Sequence, residues 1–362
     1  MRSRRRLGRG RAAALAVAVA LAQTATSAAA QPAGADAATA DALCAATARR
    51  AATDPRAAAL VDLARRQHAL FGRQEIDTAG RLVRAGYAEA EFDRGPGDPE
   101  PTWRKVQRFW QAWSPREPGQ VRDSQGRFQR TDLLRQAVQG ASTARLGSFG
   151  GGLRDLGLSA READALDTSV LRAALVDTPW SAVFVSWLVR EAGFGAEAFT
   201  FSDAHADYAR AAFATRARES AGSGSETVAD AGARTAPAPD PAAYRACDLA
   251  TTAPRPGDLV CNTRARAADI DSFDALGEAL QAGGSLPMHC DLVVAVDAPG
   301  KELQAIGGNV LQSVTLRRLA LQPAADADAG GPPLLSARYR EQASSPDAGL
   351  NDQPWTLLMQ LR

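Results

Sequence analysis

Ser181 lies in the run Pro179-Trp180-Ser181-Ala182-Val183-Phe184-Val185-Ser186-Trp187, and His289 stands far downstream at the head of an apolar run. Thr178 suits an N-cap and Pro179 the first helical position, which puts Ser181 in the first turn of a helix, beside backbone N–H groups that have no partner within the helix. Developing negative charge is favoured there. A helix start lowers the pKa of a thiol but does not ionise an alcohol, so a serine nucleophile also needs a base within reach. His289 is the candidate base, and acyl transfer is the chemistry this pair suits. Two plainer readings stand beside it. Ser181 can be a small residue filling space at a helix start, and His289 a hydrogen-bonded residue at a strand end.

A second constellation, Ser202-Asp203-Ala204-His205-Ala206-Asp207-Tyr208, alternates acid and imidazole just before a helical stretch. It either brings His205 and an aspartate to a cleft or begins a helix, with Ser202 or Asp203 as the cap and His205 packed in the first turn. Metal ligation is the weaker reading. A zinc site asks for further spaced His or Cys ligands, and the only other histidines are His68 and His289. No metal or cofactor is expected. Trp180, His205 and Asp207 are the candidate substrate-binding residues.

The helix from Trp180 to about Glu191 is apolar on nearly every face, which marks it as buried between layers, and Gly193 is placed to stop it. Its order of aromatic, nucleophile, small residue, any residue, Phe, Val, any residue, Trp resembles the nucleophile helix of the CHAP and NlpC-type amidase/peptidase superfamily, where Cys stands in place of Ser181. Pro256-Gly257-Asp258-Leu259-Val260 is similar to that superfamily's turn and strand, and His289-Cys290-Asp291-Leu292-Val293-Val294 to its histidine strand. Asn309, after Gly307-Gly308, then matches the polar residue that orients the histidine. The chain also resembles a secreted bacterial family of unknown function that carries the Ser202–Tyr208 segment. The resemblance implies a papain-like α+β domain in which Ser181 attacks, His289 takes and returns its proton, Asn309 holds the imidazole and first-turn N–H groups receive the oxyanion.

Elements able to position these residues can be read from the pattern. Helix-favouring composition runs from Asp41 to about Leu82 with a break at Pro55, a helical reading continues from Gly80 to Phe92, and Arg94-Gly95-Pro96-Gly97-Asp98-Pro99 ends that unit. Thr102 can cap a helix whose Trp103, Val106, Trp110 and Trp113 share one face, a core stripe rather than a ligand platform. Gly147 to Gly152 reads as a linker, lacking both a preceding strand and a phosphate-loop lysine. Short strand-like runs then follow at Asp258–Cys261, Cys290–Val296, Leu303–Ile306, Ser313–Leu316 and Trp355–Leu361, bounded by Gly, Pro and Asp. Helices first and strands later make an α+β fold, with the Trp180 helix packed on an antiparallel sheet. The predicted organisation is a signal peptide at 1–30, a helical N-terminal region at 31–155 and the α+β domain at 156–362. A disordered insertion is expected at about 218–250, where a Gly/Ser/Ala/Pro tract cannot bury enough surface to offset ordering.

The Arg-rich start, the Ala/Val/Leu stretch from Ala12 to Ala22 and Ala28-Ala29-Ala30 predict a cleaved signal peptide and a periplasmic or secreted protein with no membrane span in the mature chain. Its 42 basic and 41 acidic residues nearly cancel and form no basic stripe, which argues against nucleic acid as partner. In an oxidising compartment Cys44, Cys247, Cys261 and Cys290 allow three pairings. If the runs ending at Cys261 and beginning at Cys290 are neighbouring antiparallel strands, those two cysteines lie close enough to pair, with two free buried thiols as the other reading; given that pair, Cys44–Cys247 follows by elimination. The functional expectation is a cell-wall amidase or peptidase-like hydrolase acting on peptidoglycan or a similar amide. A catalytically inactive wall-binding or partner-binding module of the same fold stands against it, and a metal-dependent hydrolase comes last.

Overall fold

The computed structural model of the chain describes residues 33–52, 54–91, 100–113, 159–162, 165, 168–169, 172, 179–223, 242–299, 301–324 and 331–362. The proposed signal segment, the 147–152 glycine loop and most of the proposed insertion lie outside them. Helices are α1 (Ala33–Ala48), α2 (Arg56–Leu70), α3 (Thr102–Trp113), α4 (Ser181–Glu191), α5 (His205–Ser223), α6 (Phe273–Ala282) and the short α7 (Arg338–Glu341). Strands are β1 (Gln74–Ile76), β2 (Leu82–Arg84), β3 (Tyr244–Asp248), β4 (Leu259–Thr263), β5 (Met288–Asp297), β6 (Glu302–Val310), β7 (Ser313–Gln322), β8 (Leu334–Leu335) and β9 (Trp355–Leu361). They form one sheet in the order β2-β1-β7-β6-β5-β4-β9-β3, with β8 added to β7.

This is an α+β fold, but its sheet is mixed rather than antiparallel. β1 runs parallel to β7, pairing Gln74 with Thr315 and Ile76 with Arg317, while the other ladders are antiparallel. β1 and β2 also correct the helical reading of Gly80–Phe92. Asp77 N donates to Arg81 O (2.9 Å), Gly80 takes φ 76°, and the Asp77 carboxylate receives the N–H groups of Ala79 and Arg81. Asp and Gly thus close a hairpin where the alanines and arginines beyond suggested a helix. Both ends of the tract expected at about 218–250 belong to regular elements. α5 continues to Ser223 and β3 begins at Tyr244, its charged Arg245 placed 3.3 Å from Glu219.

Both faces of the sheet are covered, which is why β5 is apolar on alternate residues of both parities. Cys290, Leu292 and Val294 join a core shared with α2 to α6, whereas Val293 joins Val260, Leu303, Leu319, Leu358 and Tyr339 on the opposite face. α4 is buried along nearly its whole length. Phe109 of α3 meets Phe184 at 5.2 Å and Trp187 at 5.0 Å between ring centroids, so α4 is wedged between α3 and the sheet. On the sheet side a Cβ at Gly308 would stand 2.6 Å from Phe184 Cβ, so only glycine lets the helix approach β6 this closely. Trp103 and Trp110 are buried, as the stripe predicted; the Trp113 side chain lies outside the description.

The two disulfides are Cys44–Cys247, which ties α1 to β3, and Cys261–Cys290, which joins directly opposed residues of β4 and β5 with Cα atoms 4.1 Å apart.

Candidate functional site

The helix carrying Ser181 starts two residues later than the Thr178 cap and Pro179 first position suggest. Trp180 is the N-cap residue and makes no side-chain cap; Ser181 is the first helical residue, and Thr178 lies outside the described residues. Phe184 N donates to Trp180 O (3.0 Å), so the N–H groups of Ser181, Ala182 and Val183 precede the helix's own ladder. Trp180 and Ser181 are both buried.

Ser181 Oγ lies 2.7 Å from Nε2 of His205, not in a pair with His289. A loop tie produces this juxtaposition. Ser186, in the middle of α4, donates from Oγ to Ser202 O (2.8 Å) and accepts from Ser202 N (3.1 Å), which folds the connection back along the helix. α5 therefore begins at His205 over the first turn of α4. Asp207 does not face the serine. It accepts from Ser202 Oγ (2.6 Å) and from Arg210 (3.0 Å), fixing the start of α5.

On its other side, His205 Nδ1 is hydrogen-bonded to the Tyr208 hydroxyl, one helical turn on. Burial, then the proximity of His289 and Arg264, holds the His205 imidazole well below its ordinary pKa, and burial pushes the Tyr208 phenol well up. Both are neutral at pH 7. When the Nδ1 proton is donated to Tyr208, Nε2 presents a lone pair to the Ser181 hydroxyl, as a base must.

His289 forms the adjoining pair. Its ring meets that of His205 edge-on at 5.3 Å between centroids, and its Nε2 is 2.7 Å from Asp291 Oδ1. Burial lowers the His289 pKa more than the Asp291 carboxylate raises it. Asp291 remains ionised: burial alone would raise its pKa, but His289 and Arg317, whose Nε is 3.1 Å away, outweigh that. His289 Nδ1 is buried and has no hydrogen-bond partner among the described residues. Gly307 on β6 makes room for the pair, since a Cβ there would fall 1.7 Å from Asp291 Oδ1.

Asn309 is bonded elsewhere. At φ 56°, its amide nitrogen donates to Glu89 Oε2 (3.1 Å) and its oxygen accepts from Trp180 N (3.0 Å). Asn309 thus clamps the start of α4, and Asp291 takes the place beside His289 that the resemblance gave to Asn309. Glu89, which also accepts from Trp180 Nε1 (2.5 Å), is buried, and that burial raises its pKa to about 7.

A carboxyl whose folded pKa lies above its unfolded value holds its proton more tightly in the folded state. Its contribution is most favourable at low pH and is lost as pH rises from about 4.5 to about 7. Glu89→Gln is therefore expected to raise stability at pH 8 by up to about 3 kcal/mol and to leave it little changed at pH 4.5. Denaturant titrations at the two pH values check this, and equal effects at both would show that Glu89 is not the titrating group.

Of the residues singled out in the sequence, Ser181 and His205 are in contact, His289 adjoins His205, and Asn309 and Trp180 meet at the helix start. Tyr208, Asp291, Arg317 and Glu89 were not singled out. Tyr208 was open to discovery, since position i+3 on a helix shares a face with His205, and so was Asp291, which shares the strand face of His289. No sequence signal marks Arg317 or Glu89. Among the described residues no group of three or more His, Cys, Asp or Glu is placed to hold a metal. No helix there is long and apolar enough to cross a membrane.

Fold and site together define an α+β protein with a buried serine–histidine pair where a core helix meets a mixed sheet. The chain belongs to the family described as "Uncharacterized protein conserved in bacteria (DUF2272)", which matches residues 98–339. No curated protein and no solved structure matches it.

Proposed function

We propose that this protein is an exported acyl-transfer hydrolase acting on cell-wall peptide or a similar amide, with Ser181 as nucleophile and His205 as general base. The 2.7 Å contact between Ser181 Oγ and His205 Nε2 carries the reading. In the first step the serine oxygen bonds to the carbonyl carbon and its proton moves to His205 Nε2. The C–N bond then breaks and the leaving amine takes that proton. Water, deprotonated by the same imidazole, releases the acid and restores the serine. First-turn N–H groups of α4 are the donors for the oxyanion. The placement of α4 against β5 and β6, with Ser181 at the helix start and His289 at the strand start, supports a papain-like arrangement. Two disulfides are consistent with an extracellular environment, and with the basic, Ala-rich N-terminus they support export to the periplasm.

One observation favours the non-catalytic module instead: His205 leans on a neutral tyrosine rather than a carboxylate, so nothing beside it offsets the charge of an imidazolium. Covalent capture decides between the two. A fluorophosphonate probe is expected to modify full-length protein at Ser181 and nowhere else, as located by peptide mass mapping. Absence of that adduct, together with retained binding to purified wall material, would leave the binding module standing.

A further inference from the structure

Arg264 follows the last residue of β4, and its backbone N–H donates to Pro287 O (3.1 Å), which places it at the sheet end where β5 begins, across from a residue two positions before His289. The chain then turns sharply, with Ala265 at φ 53°. Arg264 is half-buried, and its charge acts on His205, Tyr208, His289 and Asp291. It also lines a groove of about 460 Å³, together with Gly80, Leu350, Asp352 and Gln353. Asp352 lines the same groove, its carboxylate accepting from Gly349 N at 2.6 Å, and is not among the groups whose charge acts on Arg264.

The buried arginines among the described residues each meet an acid: Arg245 meets Glu219 (3.3 Å), Arg255 meets Asp258 (3.4 Å) and Arg317 meets Asp291 (3.1 Å). Arg264 meets no carboxylate within ion-pair distance among the described residues. Asp291, the one carboxylate whose charge acts on it, is already held by His289 and Arg317. With both histidines and the tyrosine neutral, Asp291 and Arg317 cancel and Arg264 leaves the cluster one positive charge in excess. A partly desolvated cation without a partner is costly, and a bound monoanion removes that cost.

We propose that Arg264 receives a free carboxylate of a peptide ligand, anchoring it in the groove that Arg264 lines. A guanidinium presents two parallel N–H donors that match a carboxylate, and one excess charge is balanced by one carboxylate rather than by a phosphate dianion. The proposal rests on the acyl-transfer reading for what happens next to the anchored group, but binding itself does not depend on that reading.

The test uses full-length protein and a panel of N-acetylated dipeptides, each with a free C-terminal carboxylate or as the C-terminal amide, with binding measured by calorimetry. In the wild type the acids are expected to bind at least about tenfold more tightly than the amides, the scale of one charge-assisted contact. Arg264→Gln should erase the difference and Arg264→Lys should retain part of it, with thermal unfolding showing that both variants fold. Equal binding of acids and amides, no binding of either, or a preference that survives in Arg264→Gln would overturn the proposal. Inorganic phosphate binding as tightly as the acids would also count against it. Fluorophosphonate labelling of Ser181 is read separately in the same variants. Its loss in the wild type removes the nucleophile and leaves the carboxylate site in place.

Discussion

Replacing both cysteines of the Cys44–Cys247 bridge with alanine is expected to destabilise the protein by about 5 kcal/mol, more than any other change to its covalent framework. The bridge spans a sequence separation of 203 and joins the first described helix to the far edge of the sheet. Its removal frees nearly the whole domain in the unfolded state. The Cys261–Cys290 bridge spans only 29, so the same chain-entropy argument gives about 3.5 kcal/mol. It also joins strands that the β4–β5 ladder already holds in register. Beyond the bridge, α1 is tied by the Gln360 amide donating to Cys44 O (3.0 Å), by Arg255 donating to Thr47 O (3.1 Å) and by Arg216 reaching Asp41 (2.8 Å). Guanidinium unfolding followed by tryptophan fluorescence should rank the two paired-alanine variants in that order. A larger loss from the shorter loop would mean that packing at Cys261 and Cys290 outweighs chain entropy.

Both pairings were legible because strand adjacency was. β4, β5, β6, β7 and β9 announce themselves as apolar runs closed by Gly, Pro or Asp, and once β4 and β5 are neighbours Cys261 must lie near Cys290. The start of α4 was legible within two residues, because Pro179 and the all-apolar stretch behind it have few alternatives. Strands whose apolar signal is diluted were not. β1 has three residues and owes its place to a parallel pairing with β7 that no local pattern encodes. β3 carries Arg245 and Asp248 beside an Ala-rich tract, and the composition hid it.

The site was half legible for a similar reason. Ser181 and His289 were found from their positions on a helix start and a strand start, which are local facts. That His205 intervenes between them follows from the Ser186–Ser202 tie, a tertiary contact between two residues with nothing distinctive about them in sequence. Asn309 shows the opposite error. Its type and place suit a histidine partner, yet its left-handed backbone turns the amide toward Glu89 and Trp180.

His205→Gln is expected to slow acylation of Ser181 by about 10²–10⁴-fold, the range supplied by a positioned general base. His289→Gln should slow it far less. In the proposed mechanism His205 touches the reacting hydroxyl, whereas His289 adjoins only the imidazole ring and would serve as a positioning residue. Ser181→Ala sets the floor for both, and melting curves establish that each variant is folded. The pH profile supplies a readout that a merely structural histidine would not move. Burial, His289 and Arg264 all disfavour the imidazolium of His205, so the base is already deprotonated at neutral pH. The acid limb of the acylation rate should therefore fall below the ordinary imidazole pKa of about 6.5, with the rate flat from there to pH 8. Tyr208→Phe removes the group that fixes the Nδ1–H tautomer and should lower the rate without shifting Ser181 labelling to another residue. If His289→Gln abolishes labelling while His205→Gln preserves it, the base is the strand histidine paired with Asp291, and the 2.7 Å contact of Ser181 with His205 is a structural hydrogen bond.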